Sequence, residues 1–313
     1  MIQWIKENTQ IDFMAKGHIA VTISGVLIII SILAVAIRGL NLGIDFTGGV
    51  LMELSFQKAP VIEDIRHSLA KAGFGDASVQ YYGNTTDLLV RMAPRNDIKI
   101  THLQEQVVNA LRQGQDTQIT VQRVESVGAQ VGVELFNSAG IALLLTFGGI
   151  LLYVWMRFER LLAIGAILAL IHDPLIIIGV FALFQVEFNL AVVAAILAVI
   201  GYSINDTIVV FDRIREVFRK MRKATVLEVM NHSINQTLSR TIMTSFYTLS
   251  VAVVLLILGG ETLFGFSLAL VIGIVVGTYS SIYIASYLAM VFGVSKEDLM
   301  LVKKEGEEFK QIP

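Results

Sequence analysis

The sequence predicts an α-helical membrane protein with several transmembrane helices and one folded α+β domain outside the membrane. Of its 313 residues, 55% are hydrophobic, only 16% are charged and none is cysteine. An average soluble domain is about 45–50% apolar and about 25% charged, so the composition argues against a soluble enzyme, a disordered chain or a disulfide-rich secreted domain. The formal net charge of -2 argues against a nucleic-acid partner, because phosphate binding requires a basic excess.

Six apolar runs are each long enough for a transmembrane helix, which needs about 20 residues. The runs occupy residues 19–37, 139–156, 161–184, 188–211, 242–258 and 263–292, and the fifth is the shortest. The first follows Lys6 and Lys16 and therefore also resembles a cleavable signal peptide. Its length favours a retained anchor.

The distribution of lysine and arginine predicts that both termini are cytoplasmic. Basic residues are concentrated at 157–160, 213–240 and 296–310, whereas 185–187 and 259–262 contain none. The expected segments are a cytoplasmic N-terminus (1–18), the first helix (19–37), a periplasmic domain (39–138), helices two to six (139–292, with a cytoplasmic loop at 213–239) and a cytoplasmic tail (293–313). The basic loop is expected either to form a helix on the anionic membrane surface or only to fix the topology.

The pattern within residues 39–138 indicates a compact α+β domain. The expected strands are 50–56, 79–82, 88–92 and 119–124, and the expected helices are 61–72 and 97–112, with Asp97 as the N-cap of the second helix. The order β-α-β-β-α-β is typical of a ferredoxin-like split βαβ domain.

A glycine-rich segment at residues 43–49 opens this domain. No Gly-Lys-Ser/Thr sequence follows the segment and no strand is expected before it, so it does not indicate nucleotide binding. Its glycines instead predict a tight turn with positive φ angles.

Asp206 is the most informative polar residue in the apolar runs. A carboxylate at the centre of a membrane span costs about 2.5–3.5 kcal/mol even on the mildest scale, which marks it as a functional candidate. Arg240 stands at the start of the antiparallel fifth span at a similar depth, so an Asp206–Arg240 ion pair controlled by a proton is expected. The alternatives are a static structural pair and a hydrated carboxylate near the lipid headgroups.

Asp173 is a second candidate for the proton relay. Pro174 follows it and can free backbone hydrogen-bond donors, so Asp173 could instead bind those donors or the neighbouring helices. The five histidines show no metal-ligand spacing, so neither a metal site nor a cofactor is expected.

The sixteen residues 201–216 (GYSINDTIVVFDRIRE) resemble the SecF branch of the SecD/SecF family of bacterial protein-export membrane proteins. The segments 43–49 and 239–241 agree with this resemblance, and its motif residues are Gly43, Asp45, Gly48, Gly49, Gly201, Asn205, Asp212 and Arg213. The resemblance implies a six-helix half of an RND-type membrane fold in the inner membrane. It also implies a non-enzymatic, proton-driven role late in polypeptide translocation, with Asp206 and Arg240 as the proton-coupling pair.

The same resemblance implies a set of partners. These are a SecD-like subunit, the SecYEG channel, the translocating polypeptide and the surrounding lipids, with YajC and YidC as further candidates. Three alternatives remain open from the residues: an RND-type exporter half for lipids or small molecules, an intramembrane aspartyl protease using Asp173 and Asp206, and a passive scaffold for SecD. The protease alternative lacks the Gly-x-Gly-Asp motif, and sodium could replace the proton as the coupling ion.

Overall fold

The computed structural model describes residues 9–94, 100–112, 118–221 and 223–295, so the expected N-cap Asp97 lies outside the described residues. The chain alternates long apolar helices with short strands. In order, its elements are α1 (Gly17–Arg38), β1 (Asn41–Leu42), α2 (Ile44–Thr47), β2 (Gly49–Phe56), α3 (Ile62–Lys71), β3 (Ser78–Tyr82), β4 (Asn84–Met92), α4 (Ile100–Arg112), β5 (Ile119–Val127), α5 (Ala129–Arg157), α6 (Arg160–Phe184), β6 (Glu187–Phe188), α7 (Leu190–Lys220), α8 (Val226–Leu258), α9 (Gly260–Tyr279), a π-helical segment (Ser280–Ala285) and α10 (Ser286–Val291).

Six helices in the described part of the chain are long and apolar enough to cross a membrane, which confirms the expected number of spans. They are α1, α5, α6, α7, α8 and the continuous helix formed by α9, the π segment and α10. About half of α6, α7 and the last helix is buried inside the protein, whereas α1, α5 and α8 are mostly exposed. Helices α6, α7 and the last helix therefore form the centre of a multi-pass membrane protein.

The expectation that the fifth span is the shortest is wrong, and so is the alternative that residues 213–239 form a separate surface helix. Helix α8 has 33 residues and is the longest of the six, not the shortest. Within 213–239 the described residues form no separate surface helix, because α7 continues to Lys220 and α8 already begins at Val226. A capping box of Thr225 and Glu228 stabilises this early start. A hydropathy pattern detects only the apolar part of a helix. Polar turns that extend the helix beyond the membrane are therefore not predicted.

The second span also begins earlier than its apolar run indicates. Helix α5 starts at Ala129, directly after β5, whereas the charge-free run starts at Ala139. Its first turns carry polar residues and connect the sheet domain to the membrane part of the helix.

Strands β2–β5 with α3 and α4 form the predicted β-α-β-β-α-β unit, called here the sheet domain. The strand order is β3-β4-β2-β5 and every neighbouring pair is antiparallel. Alternate residues of β2 point to opposite faces. Met52 and Leu54 are fully buried in a core that includes Ile65 and Leu69 of α3. The opposite face contributes Leu51 to a small cluster around Ile44, beside the membrane helices.

The glycine-rich segment 43–49 links α1 to the sheet domain. Contrary to expectation, a short strand precedes it, because β1 pairs in parallel with β6. Gly48 and Gly49 have φ angles of +68° and +128°, which fits the expected tight turn, while Gly43 is extended at -70°. A Cβ atom on Gly49 would lie 2.4 Å from the carbonyl oxygen of Met92, so only glycine fits there.

We expect Gly165→Ala to destabilise the helix bundle, because the added Cβ atom would lie 2.5 Å from the backbone carbonyl oxygen of Ala285 in the π segment. Overpacking of this kind costs about 1–3 kcal/mol. The matched control is Gly148→Ala in α5, where nothing lies within 4 Å of the new Cβ. The control should be neutral or stabilising by up to ~1 kcal/mol, since alanine is the better helix former. Thermal unfolding in detergent measures both, and equal melting temperatures would contradict the tight contact.

Candidate functional site

Helix α7 carries the candidate residues on two different faces. Ser203 and Asp206 are buried among the other helices, whereas Gly201 and Asn205 are exposed. The separation follows from the helical period of 3.6 residues, which places residues 203 and 206 on one side and residues 201 and 205 on another. The sixteen-residue motif thus contributes both to the interior of the bundle and to its surface.

Asp173 of α6 is buried, with 1% of its surface exposed, and its carboxylate is fully hydrogen-bonded. Its Oδ1 lies 2.8 Å from Nδ1 of the neighbouring His172, and its Oδ2 accepts from Ser203 Oγ at 2.5 Å and from Ser280 Oγ at 2.9 Å. Three side chains on α6, α7 and the π segment therefore compensate the buried carboxylate. The donors come from side chains of the same and neighbouring helices.

The hydrogen bonds continue from His172 to α1. Nε2 of His172 lies 3.0 Å from Ser24 Oγ, which lies 3.4 Å from the hydroxyl oxygen of Tyr279. Tyr279 in turn donates to the carbonyl oxygen of Ala20 at 2.7 Å. This network joins four elements of the bundle: α1, α6, α7 and the last membrane helix.

The last membrane helix widens to a π-helix where it meets Asp173. Ser280 is the first residue of the π segment, and Tyr279 directly precedes it. Such widened turns are rare and occur frequently at functional sites. Here the irregular turn lies next to the two side chains, Ser280 and Tyr279, that belong to the Asp173 network.

Asp206 is buried like Asp173 but is not compensated in the same way. Only 4% of its surface is exposed, and its Oδ2 atom is buried without a hydrogen-bond partner in the described part of the chain. Within the same residues it forms no ion pair, and it shares no hydrogen bond with Asp173. An unpartnered buried carboxylate oxygen is costly, so the arrangement is one that protonation or a new partner would stabilise.

Arg240 lies opposite Asp206 on α8 without touching it. Two hydrogen bonds fix the antiparallel register of α7 and α8: Tyr202 with Ser245 at 3.0 Å, and Arg213 with Gln236 at 2.6 Å. Arg240 lies between these contacts in the sequence of α8 and therefore at the level of Asp206. Its side chain is exposed and forms no ion pair among the described residues. The expected pair is therefore open in this conformation.

Asp212 and Arg213 lie farther along α7 and have other contacts. Asp212 accepts two hydrogen bonds from Arg157, both at 2.8 Å, which ties α7 to the end of α5. Arg213 pairs with Glu216 as well as with Gln236 of α8. These motif residues hold the polar ends of three helices together and do not reach the buried carboxylates.

The glycine-rich segment lies at the opposite end of α7. Oδ2 of Asp45 accepts from the backbone N–H of Leu190 at 3.0 Å, at the first residue of the helix. Gly43 donates its backbone N–H to the carbonyl oxygen of Phe188 at 2.9 Å. The two motifs that are distant in sequence thus meet on the same helix.

Sequence reasoning missed most of the Asp173 network. Ser24, Tyr279 and Ser280 lie within apolar runs and were assigned no role from the sequence. The available signal was polar side chains recurring in four different apolar runs, because such groups seek each other inside a membrane bundle.

Two family models match the chain. The model of the protein export membrane protein SecD/SecF, C-terminal, matches residues 106–295, and the model of the SecD/SecF GG motif matches residues 33–60. The first model covers the buried carboxylates of Asp173 and Asp206, and the second covers the glycine-rich segment.

Similar proteins include several protein translocase subunits. The Protein translocase subunit SecF of Vibrio alginolyticus is 48% identical, with 100% of each chain covered, and that of Escherichia coli O157:H7 is 43% identical over 96% of this chain and 94% of the relative. The crystal structure of SecDF, a translocon-associated membrane protein from Thermus thermophilus, matches with a TM-score of 0.83 and 38% identity. The match covers 91% of this chain and only 39% of the SecDF chain, so this chain corresponds to about two fifths of that protein.

We expect the two serine hydroxyls on Asp173 to act together. Ser203→Ala or Ser280→Ala alone removes one hydrogen bond to a buried charged group, at a cost of about 1.5–3 kcal/mol. The double variant leaves Oδ2 without either donor, so its destabilisation should differ from the sum of the single effects by at least ~0.5 kcal/mol. The control is Ser250→Ala, whose hydroxyl donates only to Phe246 within α8. Chemical unfolding in detergent measures the cycle, and simple additivity would argue against a shared carboxylate.

Proposed function

The chain belongs to the SecD/SecF family of protein export membrane proteins, and we propose that it is a SecF-type subunit of the Sec machinery that uses the proton motive force together with a SecD-like partner. The proposed task is to promote the late stage of polypeptide translocation across the bacterial inner membrane. The proposed activity moves a chain and makes or breaks no covalent bond.

The proposal places the sheet domain on the periplasmic side and both termini in the cytoplasm. The basic last turn of α7, with Arg219 and Lys220, and the start of α8 at Val226 lie at the opposite end of these helices from the sheet domain. Short loops rich in lysine and arginine stay in the cytoplasm. The sheet domain then lies where a polypeptide emerges from the SecYEG channel.

The observation that carries the proposal is the uncompensated carboxylate of Asp206 at the level of Arg240. In the described conformation Oδ2 is buried without a partner, so a proton on the carboxyl group would stabilise it. Loss of the proton leaves a buried anion that favours approach to Arg240. Protonation and pairing thus favour two different arrangements of α7 and α8, which is what coupling to a proton gradient requires.

Asp173 and His172 are proposed as a second, subordinate part of the relay. The carboxylate of Asp173 is hydrogen-bonded to a titratable imidazole on one side and to Ser203 on the other. Ser203 and Asp206 are three residues apart on α7 and therefore lie on the same side of the helix. A continuous set of hydrogen bonds thus leads from α1 to within one turn of Asp206.

The exposed face of α7 and α8 supports a second membrane half as partner. Ala194, Ala198, Gly201 and Asn205 form an exposed stripe of small and polar residues on α7, beside the exposed Arg240 of α8. Small residues allow close helix contacts, and an amide or a guanidinium is unfavourable in lipid. The SecDF chain of the solved relative, which is longer than this chain, fits such a second half. SecYEG, YajC and YidC are proposed as further partners on the family resemblance alone.

We expect Asp206→Asn to abolish the proton-dependent part of export, because an amide cannot gain and lose a proton. Protease protection of a preprotein in inverted membrane vesicles measures export with and without a protonophore. Asp64→Asn on the exposed surface of α3 is the control and should export normally. Normal, protonophore-sensitive export by Asp206→Asn would refute the relay. Sensitivity to a sodium ionophore in place of the protonophore would assign the same site to sodium.

We expect Ala198→Trp to weaken the association with the SecD-like subunit, because a large side chain would prevent close approach along the small stripe. The control is Leu144→Trp on α5, where the native side chain is 74% exposed and large already. Co-purification from mild detergent measures the effect. Equal recovery of the partner by the two variants would place the interface elsewhere.

A further inference from the structure

Arg91 of β4 makes polar contacts with both short strands that lie between the sheet domain and the membrane helices. Its Nη2 donates to Oε2 of Glu187 in β6 at 2.5 Å, and its Nη1 donates to the carbonyl oxygen of Leu42 at 3.1 Å and to Oδ1 of Asn41 at 3.3 Å. Only 17% of the Arg91 side chain and 24% of the Glu187 side chain are exposed. A single guanidinium therefore ties the central sheet to β1 and β6.

Strand β6 leads directly into α7, and Asp45 fastens the start of that helix. The Asp45 carboxylate accepts from the backbone N–H of Leu190, which has no partner within the helix. Arg91 and Asp45 thus act on the two sides of the same short segment, residues 187–190. A displacement of Leu190 away from α2 would stretch the Asp45 contact, and a displacement of β6 away from the sheet would stretch the Arg91 contact.

A cleft of about 240 Å³ opens at this place between the sheet and the helix ends. Leu51, Leu89 and Glu125 line it from the sheet, and Glu187 and Thr262 line it from the membrane side. The volume admits water to the carboxylate of Glu187. One further hydrogen bond, from Arg123 to Thr262 at 2.7 Å, crosses the cleft.

We propose that Arg91, Glu187 and Asp45 are positioning residues that form a joint between the sheet domain and the start of α7, and that this joint loosens when Glu187 takes up a proton from the outside. The inference rests on the proposed function for its purpose, because the joint would couple movements of α7 to the domain. The loosening itself depends only on the contacts of Arg91 and Asp45 with residues 187–190.

The charged groups around Glu187 favour protonation at moderately low pH. Burial raises the pKa of Glu187 above its ordinary value, and the carboxylates of Asp45 on α2 and Glu125 on β5 raise it further, against the lowering effect of Arg91 on β4. Arg123, which lines the cleft, is paired with Glu125. As the external pH falls, Glu187 therefore loses its charge before an ordinary glutamate does, and the ion pair with Arg91 is lost with it.

The test measures the distance between the sheet domain and the membrane helices by spin labelling. Since the chain contains no cysteine, Lys71→Cys on α3 and Leu258→Cys at the end of α8 provide two labelling sites, both exposed. The labelled chain is reconstituted with its SecD-like partner in lipid nanodiscs. Pulsed electron paramagnetic resonance then gives the distance distribution at neutral and at mildly acidic pH.

We expect Glu187→Gln to broaden the distribution at neutral pH and to remove its dependence on pH, whereas the unmodified joint should broaden only at acidic pH. The matched control is Glu63→Gln, which breaks the exposed Arg66–Glu63 pair on α3 of the same domain. Asp45→Ala should also broaden the distribution, while Asp45→Asn retains an acceptor for Leu190 and should not. Melting temperature and partner co-purification establish that each variant is folded.

A narrow, pH-independent distribution in the unmodified joint would overturn the proposal, as would a Glu187→Gln variant that behaves like Glu63→Gln. The distance measurement requires no export. A pH-sensitive joint together with normal export by Asp206→Asn would therefore refute the proposed function and leave the joint intact, and the opposite pair of results would refute the joint alone.

Discussion

A buried carboxylate in an apolar bundle needs compensation, and this requirement organises the membrane part of the protein. Asp173 satisfies it with the imidazole of His172 and two serine hydroxyls from neighbouring elements. Asp206, one turn beyond Ser203 on α7, leaves one oxygen unpartnered. The two acids have similar burial and opposite surroundings. The satisfied one fixes the packing of four elements, and the unsatisfied one leaves an arrangement that a proton can change.

Helix α7 connects the features that the sequence motifs mark separately. Asp45 of the glycine-rich segment accepts from its first residue, Ser203 and Asp206 lie in its buried centre, and Asp212 binds Arg157 near its other end. Because a helix is stiff along its axis, a shift at its centre is transmitted to both ends. Residues that are far apart in the chain are therefore connected mechanically through one helix.

The sequence predicted the parts of the structure that depend on repeated local patterns. Runs of apolar residues identified six spans, and alternation with turn residues identified the β-α-β-β-α-β order of the sheet domain. It failed where polar residues continue a helix, as in the first turns of α8, because Thr225 and Glu228 cap a helix that hydropathy cannot detect. The depth of Arg240 relative to Asp206 could be inferred from the antiparallel spans. The separation of the two side chains could not be inferred. The partners of Asp173 come from distant runs, and only packing brings them together.

The energies involved are consistent with the proposed function, in which a proton moves the sheet domain without unfolding it. One proton that crosses the membrane supplies about 2.3 kcal/mol per 100 mV. A folded domain is stable by about 5–15 kcal/mol, so a single proton cannot unfold the sheet domain. The joint is weaker, because it consists of a partly exposed ion pair and a few hydrogen bonds, each worth about 0.5–3 kcal/mol. Under the proposed function, one proton that crosses the membrane by way of Asp206 supplies a free energy comparable to that of one or two of these contacts. A protein that works in the proposed way therefore requires a polypeptide that is already unfolded when it reaches the domain.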